Sequence, residues 1–322
     1  MDLRLLVLGG TRLVGRAFVE KMIAAGNEIT AVSRHPEMCP EGAKAVGAER
    51  REGLTRLAGS KFDATLDFIC YDGWGPSEVF SVVDPGNYIL ISTVWMGRLV
   101  RGLRLDEAVP DSFSVCVVDI PENVFRYLLG KLYAERTTLA KRRAGAPATI
   151  LRLPIVWAAQ EHSGRLDFYR NRLADGAPLI LVNGGSNLAQ IAWSEDLANV
   201  VTRWVSSGAA ISRPIWEALP DLGNSVRDIL ANLASCMGVK PKFVDLTQKR
   251  IEEDLPAYLE AEPFWRERAA QVTGCNVFAA TGMKPTPPPR WFATLVQGPS
   301  QQKEPALRAA EISCLKRLGH VF

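Results

Sequence analysis

The first 150 residues alternate short apolar runs with stretches in which apolar side chains recur every three or four residues. The run before Gly9 is apolar at every position from Leu5 to Leu8, as in a strand that is buried on both faces. Similar runs predict strands at 3–8, 28–33, 64–69, 88–92, 114–118 and 149–153. Residues 12–25 have the spacing of an amphipathic helix. Because strands alternate with helices, the pattern predicts a doubly wound parallel sheet with right-handed crossovers.

The second half of the chain is less regular. Helical spacing is found at 168–174, 194–206, 226–237 and 291–296, the last directly after a proline-rich stretch. Beyond Gly298 the chain is polar, and we expect a loosely attached tail with one helix at 305–318. We therefore expect a nucleotide-binding domain at 1–153, to which later segments are free to return. A smaller α/β substrate domain at 154–296 and a tail at 297–322 complete the predicted organisation.

Composition excludes several classes of function. The chain has 322 residues, a formal net charge of +3 and 47% hydrophobic residues. This charge is too small to predict nucleic-acid binding, and no apolar run is long enough for a membrane span. The six cysteines are far apart and the three histidines are scattered, so we expect no metal site and no disulfide framework. Unpaired cysteines are typical of a cytoplasmic protein.

A glycine-rich segment follows the first predicted strand and precedes the first predicted helix. It is Gly9-Gly10-Thr11-Arg12-Leu13-Val14-Gly15. A dinucleotide pyrophosphate requires backbone N–H groups at a helix N-terminus and glycines where the chain turns or approaches the phosphates closely. The order of strand, loop and helix therefore predicts a dinucleotide site of the Rossmann type.

This segment resembles the phosphate loop of the extended and atypical short-chain dehydrogenases/reductases, the NAD-dependent epimerase/dehydratase family. The usual loop of that family has a middle glycine where this chain has Arg12, although a Gly-Gly-Thr-Arg variant occurs in a subgroup. The likeness extends over about residues 1–296 and implies a nicotinamide cofactor.

The cofactor preference is inferred from the end of the second strand. NAD enzymes commonly place a carboxylate there for the ribose 2′-hydroxyl, whereas a 2′-phosphate requires arginine. Here the strand ends in Ser33-Arg34-His35, and Arg12 is expected to approach the same pocket. We therefore expect NADP(H), with NAD(H) as the alternative. The following segment, Glu49-Arg50-Arg51-Glu52, resembles the family's acidic segment near the adenine, and a solvated charge run explains it equally well.

The resemblance also implies a catalytic pair. Short-chain dehydrogenases use a tyrosine as general acid/base with a lysine four residues later, on the same helix face. Tyr127 and Lys131 have this spacing, and Ala134-Glu135 continues the family pattern. Lys131 is expected to support the tyrosine and to hold the nicotinamide ribose.

The third catalytic group of the family is a hydroxyl at the end of the fourth strand. This chain offers both Ser92 and Thr93 there. Counting from the strand favours Thr93, and counting back from Gly97 favours Ser92, so both are retained. The segment Cys70-Tyr71-Asp72-Gly73-Trp74 is larger and more aromatic than the corresponding family loop, and the sequence assigns it no role.

For the substrate, position in the family pattern suggests Arg165, Arg172 and Gln190, the arginines as clamps for a phosphate or carboxylate. We expect an enzyme that transfers hydride at a carbinol or carbonyl carbon of a small polar metabolite. Reduction, epimerisation and dehydration remain open, as does a homodimer. The alternative is a dinucleotide-sensing or RNA-associated protein on the same fold, since relatives with the Gly-Gly-Thr-Arg loop include chloroplast RNA-binding proteins.

Overall fold

A computed structural model describes residues 2–100, 103–104, 106–111, 122–159, 164–264, 275–298 and 304–322. Its strands are β1 (Arg4–Leu8), β2 (Glu28–Ser33), β3 (Lys44–Gly47), β4 (Ala64–Asp67), β5 (Asn87–Thr93), β6 (Ala148–Leu153), β7 (Ile155–Trp157), β8 (Leu179–Val182), β9 (Ile191–Trp193), β10 (Ile215–Glu217) and β11 (Phe243–Leu246). The strand predicted at 114–118 lies outside the described residues. The other five predicted strands are confirmed, with ends that differ by no more than two residues.

The α-helices of the described residues are α1 (Leu13–Ala24), α2 (Arg50–Arg56), α3 (Trp74–Val82), α4 (Met96–Leu99), α5 (Glu122–Arg143), α6 (Arg165–Ala174), α7 (Ser194–Ser206), α8 (Val226–Cys236), α9 (Gln248–Asp254), α10 (Pro256–Ala261), α11 (Val277–Thr281), α12 (Pro288–Leu295) and α13 (Pro305–Arg317). Within these residues no helix is both long and apolar enough to cross a membrane.

The chain divides into two compact units. The first comprises 1–156, 191–220 and 270–285, and the second comprises 157–190, 221–269 and 286–322. Two later segments thus return to the first unit. The tail expected to be loose beyond Gly298 is instead anchored in the second unit by α13, where Glu311, Cys314 and Leu315 are buried. That prediction is wrong because α13 buries one of its faces within the second unit.

A seven-stranded sheet forms the first unit, in the order β10-β6-β5-β4-β1-β2-β3. Every neighbouring pair is parallel. Alternate side chains of β1 pack into different hydrophobic layers. Leu5 and Val7 pack with α1 and α7, whereas Leu6 and Leu8 pack with α3 and α5. Burial on both faces explains why β1 is apolar from Leu5 to Leu8. The predicted doubly wound α/β class is confirmed.

The second unit contains the parallel pair β8–β11 together with α6, α8, α9, α10, α12 and α13. Its interior includes a group of aromatic side chains, with Trp157, Phe264 and Trp291 each nearly inaccessible to solvent.

Candidate dinucleotide and catalytic site

The phosphate loop follows β1 at the carboxyl edge of the sheet, the edge at which open α/β sheets bind ligands. The Gly9 N–H donates to the Val32 carbonyl over 3.0 Å. Gly9 has a φ of +89°, and a Cβ at Gly15 would lie 2.8 Å from the Gly9 carbonyl oxygen. Both glycines are therefore needed for the turn and for the close packing of α1 against the loop.

The replacement of the family's middle glycine by Arg12 has a local explanation. Arg12 is the residue before the first turn of α1 and is extended, with φ −139° and ψ 154°, so this position requires no glycine. The left-handed residue is Leu13, with a φ of 46°. No side chain caps α1, so its first N–H groups are not satisfied by a cap and are available to an anion. Leu13 in this region costs about 1–2 kcal/mol, a strain often found at ligand sites.

A cavity of about 640 Å³ adjoins this loop within the first unit. Of the predicted cofactor residues, the following line it: Gly9, Arg12, Leu13, Val14, Gly15, Ser33, Arg34 and Lys131. Gly10 and Thr11 also belong to the loop, but they are not among the residues that line the cavity. A Cβ at Gly10 would meet Val19 at 2.9 Å, and the Thr11 hydroxyl lies 3.2 Å from that of Ser33. These two residues therefore support the loop and do not line the cavity.

Arg34 has an acidic neighbour that the sequence pattern did not reveal. Its guanidinium lies 3.7 Å from the Glu49 carboxylate, and both residues line the cavity. Both side chains are largely exposed, so the pair is screened by water and salt and is easily rearranged.

The predicted catalytic residues converge on the same cavity. Tyr127 and Lys131 on α5 line it together with Ser92 and Thr93 at the end of β5. Lys131 is almost fully buried, and its Nζ donates to the Ile91 carbonyl oxygen over 2.8 Å. Burial lowers the pKa of Lys131 below the ordinary lysine value, while Asp67, Cys70 and Glu135 act in the opposite direction.

A buried ionic network lies directly behind Ser92. Glu135 is four residues beyond Lys131, so both occupy one face of α5. The Ser92 hydroxyl donates to Glu135 Oε1 over 2.6 Å. Arg152 on β6 donates to both oxygens of the same carboxylate over 3.0 and 2.6 Å, and neither charged side chain reaches solvent. The proton of Ser92 is therefore already committed to Glu135.

Thr93 makes a different contact. Its hydroxyl oxygen accepts the Trp95 backbone N–H over 3.1 Å. This contact uses an oxygen lone pair, so it leaves the hydroxyl proton of Thr93 uncommitted. Of the two hydroxyls, Thr93 is the one equipped to donate to a ligand oxygen.

A second buried network lies beneath the loop that follows β4. Asp67 accepts from Arg50 over 2.8 Å and from the Tyr88 hydroxyl over 2.9 Å. Arg50 also pairs with Glu78, which ties α2 and α3 to the sheet. Burial raises the pKa of the nearby Cys70 thiol to about 12, so Cys70 is protonated and unreactive at neutral pH.

The predicted substrate residues lie in the second unit. Arg172 is almost fully buried there, and its guanidinium pairs with Glu311 and donates to the Phe168 carbonyl oxygen. These contacts anchor α13 and oppose the role of Arg172 as a clamp for a substrate anion, which stays a prediction. Arg165 begins α6 and Gln190 is buried just before β9, and their roles stay predictions. Among the described residues, no group of three or more His, Cys, Asp or Glu side chains is placed to hold a metal ion.

No protein-family model matches the sequence, and no curated protein matches it significantly. Solved structures do match the fold. UDP-galactose 4-epimerase has a TM-score of 0.64 at 14% identity, over 91% of this chain and 99% of that one. The Bacillus anthracis dTDP-glucose 4,6-dehydratase, solved with NAD, has a TM-score of 0.64 at 13% identity, over 92% and 96% of the two chains.

A human epimerase family protein, SDR39U1, was solved with NADPH and has a TM-score of 0.60 at 16% identity, over 91% and 99% of the two chains. The chain therefore has the fold of the short-chain dehydrogenase epimerases and dehydratases. The resemblance drawn from the sequence motifs is confirmed at the level of the fold.

Proposed function

We propose that this protein is an NAD(P)(H)-dependent oxidoreductase of the short-chain dehydrogenase/reductase type. It acts at a carbinol or carbonyl carbon of a small polar metabolite. The observation that carries the proposal is that Tyr127 and Lys131 line the same cavity as the phosphate loop. A protein that binds a dinucleotide without catalysis would use Lys131 for the ribose but would have no need of Tyr127.

The residues present suit a dinucleotide. The glycines of the phosphate loop permit its turn and the close packing of α1 against it, and the uncapped start of α1 offers N–H donors for phosphates. Lys131 uses one of its N–H groups on Ile91, which leaves two for ribose hydroxyls. When bound, the nicotinamide ring supplies or accepts the hydride.

The proposed chemistry divides the work among three side chains. Thr93 donates its hydroxyl proton to the substrate oxygen and orients the reacting carbon. The phenol of Tyr127 gives a proton to that oxygen during reduction and removes it during oxidation. Lys131, held by the Ile91 carbonyl, places a positive charge near Tyr127 that favours the phenolate form. Ser92 positions β5 through Glu135 and takes no part in proton transfer.

We further propose a preference for NADP(H). Support comes from Arg12 in the phosphate loop and Arg34 after β2, which both line the cavity, and from the absence of an acid at the end of β2. Glu49 opposes this preference because its carboxylate competes for Arg34 and repels a 2′-phosphate. We therefore expect NADPH to bind more tightly than NADH by a modest factor. The homodimer expected from the sequence stays a prediction, which sedimentation velocity would test.

Thermal unfolding of the purified protein with NADPH and with NADH tests the binding step. A ligand at 100 times its Kd stabilises the native state by about 2.7 kcal/mol, so a clear rise in Tm is expected. The absence of any rise with either dinucleotide would refute the proposal.

The catalytic step requires a panel of carbonyl and carbinol compounds, with turnover followed by the absorbance of the reduced nicotinamide. With a compound that is turned over, Tyr127→Phe should lower the rate by about 10²–10⁴-fold, because it removes the general acid. Tyr133→Phe on the same helix is the control, since Tyr133 is exposed and does not line the cavity. Equal rates for Tyr127→Phe and the wild type would show that Tyr127 is not the acid.

A further inference from the structure

The loop between β4 and α3 contributes an aromatic residue to the site. Tyr71 lines the cavity, and the centre of its ring lies 4.5 Å from Lys131 Nζ. The same ring lies 6.0 Å from the ring of Tyr127, at an interplanar angle of 50°. Tyr71 therefore contacts both members of the predicted catalytic pair.

The glycine within the catalytic segment makes this contact geometrically feasible. Gly130 lies on α5 between Tyr127 and Lys131, and a Cβ at this position would overlap with the backbone carbonyl of Tyr71. Glycine in a helix costs up to about 1 kcal/mol relative to alanine. Here it lets the Tyr71 backbone pack directly against the helix that carries the catalytic pair.

Local hydrogen bonds hold this loop in place. The Asp72 carboxylate accepts the backbone N–H groups of Trp74 and Gly75 over 2.9 and 2.8 Å, which orders the start of α3. The Cys70 thiol donates to the Asp72 carbonyl oxygen over 3.4 Å. The position of Tyr71 is thus set by its neighbours in the loop as well as by its contact with Lys131.

The two partners differ sharply in exposure. Lys131 is 3% exposed, whereas Tyr71 is 54% exposed. The Tyr71 ring therefore lies between the ammonium group and solvent on one side, while the Ile91 carbonyl holds the group on another. A cation over the face of an aromatic ring is attracted by the ring quadrupole, more strongly when both are shielded from water.

We propose that Tyr71 is a positioning residue of this site: its ring face covers the Lys131 ammonium and holds it in the orientation in which it binds a dinucleotide. The expected effect on dinucleotide binding rests on the proposed function, whereas the covering of Lys131 by the Tyr71 ring is a property of the protein alone. The phenol hydroxyl has no part in this role, so phenylalanine should replace tyrosine at position 71.

Two measurements test the proposal. Competitive labelling with trace acetic anhydride, read by mass spectrometry, reports the accessibility of Lys131 in the ligand-free protein. Fluorescence titration with NADPH and NADH reports binding. In Tyr71→Ala, Lys131 should be acetylated faster and both dinucleotides should bind about 2- to 30-fold more weakly, the range that corresponds to loss of one cation–π contact.

The matched variants separate this role from general packing. Tyr71→Phe should behave like the wild type in both measurements. Tyr133→Ala removes a tyrosine of similar exposure, 52%, from the same region of α5 and should also leave both unchanged. Gly130→Ala should reproduce the effects of Tyr71→Ala, because its methyl group displaces the Tyr71 backbone. If Tyr71→Ala does not fold, Tyr71→Leu makes the same comparison.

The proposal is overturned if Tyr71→Ala leaves the acetylation rate of Lys131 unchanged, or if Tyr71→Phe loses as much dinucleotide affinity as Tyr71→Ala. It is also overturned if dinucleotide affinity is insensitive to all substitutions of Tyr71 in a protein that binds NADPH or NADH. Should the wild type bind neither dinucleotide, the proposed function fails, and the labelling experiment still decides whether Tyr71 covers Lys131.

Discussion

Glu135→Gln should be among the most destabilising single changes in the first unit. Glu135 and Arg152 are 1% and 0% exposed, and the glutamate carboxylate accepts two hydrogen bonds from the arginine and one from Ser92. Glutamine can still accept from Ser92, but it removes the negative charge to which the buried Arg152 guanidinium donates two hydrogen bonds. Removal of one partner of a buried ion pair costs about 3–5 kcal/mol.

That magnitude can be compared with the stability of the whole protein. A typical native state is about 5–15 kcal/mol more stable than the unfolded chain, so the substitution removes a large share. The assay is urea unfolding followed by circular dichroism, which reports the change in the midpoint and in the free energy of unfolding. The first unit is followed most directly by amide hydrogen exchange in β5 and β6, the strands that carry Ser92 and Arg152.

Helix α5 provides a control of identical chemistry. Glu122 pairs with Arg126 on the same helix, but its side chain is 75% exposed. Exposed pairs contribute at most about 1 kcal/mol, so Glu122→Gln should cost little. If Glu135→Gln is no more destabilising than Glu122→Gln, the buried network behind Ser92 does not exist as described. The double variant Glu135→Leu/Arg152→Met should recover part of the loss, since well-packed apolar residues often replace a buried pair.

Three further predictions concern the phosphate loop, cofactor selectivity and the second unit. Gly15→Ala should weaken NADPH binding at least about tenfold, because the added Cβ would lie 2.8 Å from the Gly9 carbonyl oxygen and displace the loop. A displaced loop loses charge-assisted hydrogen bonds to the phosphates, each worth about 1.5–3 kcal/mol. Unchanged affinity in fluorescence titration would contradict the close packing. Glu49→Gln should raise the ratio of NADPH to NADH affinity, and Arg34→Gln should lower it. Each change should be roughly 3- to 10-fold, because water and salt screen these exposed charges. Equal effects on the affinities for both cofactors would refute the role of the pair. Arg172→Met should cost about 3 kcal/mol in urea unfolding and leave the affinity for NADPH unchanged, whereas a selective loss of substrate binding without destabilisation would restore the clamp.

Much of the site is predictable because its signals are local. The phosphate loop is recognisable from glycines between a strand and a helix, and Tyr127 and Lys131 from a spacing of four residues on one helix. Helix α7 and strand β2 begin and end where the apolar pattern predicts, at Ser194–Ser206 and Glu28–Ser33. Each of these features depends on residues that are close together along the chain, so its signal is visible in a single sequence.

Elements without a strong local pattern were missed. Strand β3 (Lys44–Gly47) is partly exposed and short, and β10 (Ile215–Glu217) has only three residues. Neither segment has an alternation of apolar and polar residues that is long enough to distinguish a strand from a loop. They are strands because β2 and β6 offer hydrogen-bonding edges to which they can pair in parallel.

By itself, the sequence determined β1, β2, β4, β5 and β6, the phosphate loop and the residues that form the predicted catalytic pair. Only the tertiary structure decided that Ser92 donates to Glu135, that Arg34 has Glu49 as its neighbour and that Tyr71 covers Lys131. The physical reason is that these partners come from different strands, loops and helices. A parallel sheet brings the ends of its strands to one edge, and distances between side chains at that edge bear no relation to their separation along the chain.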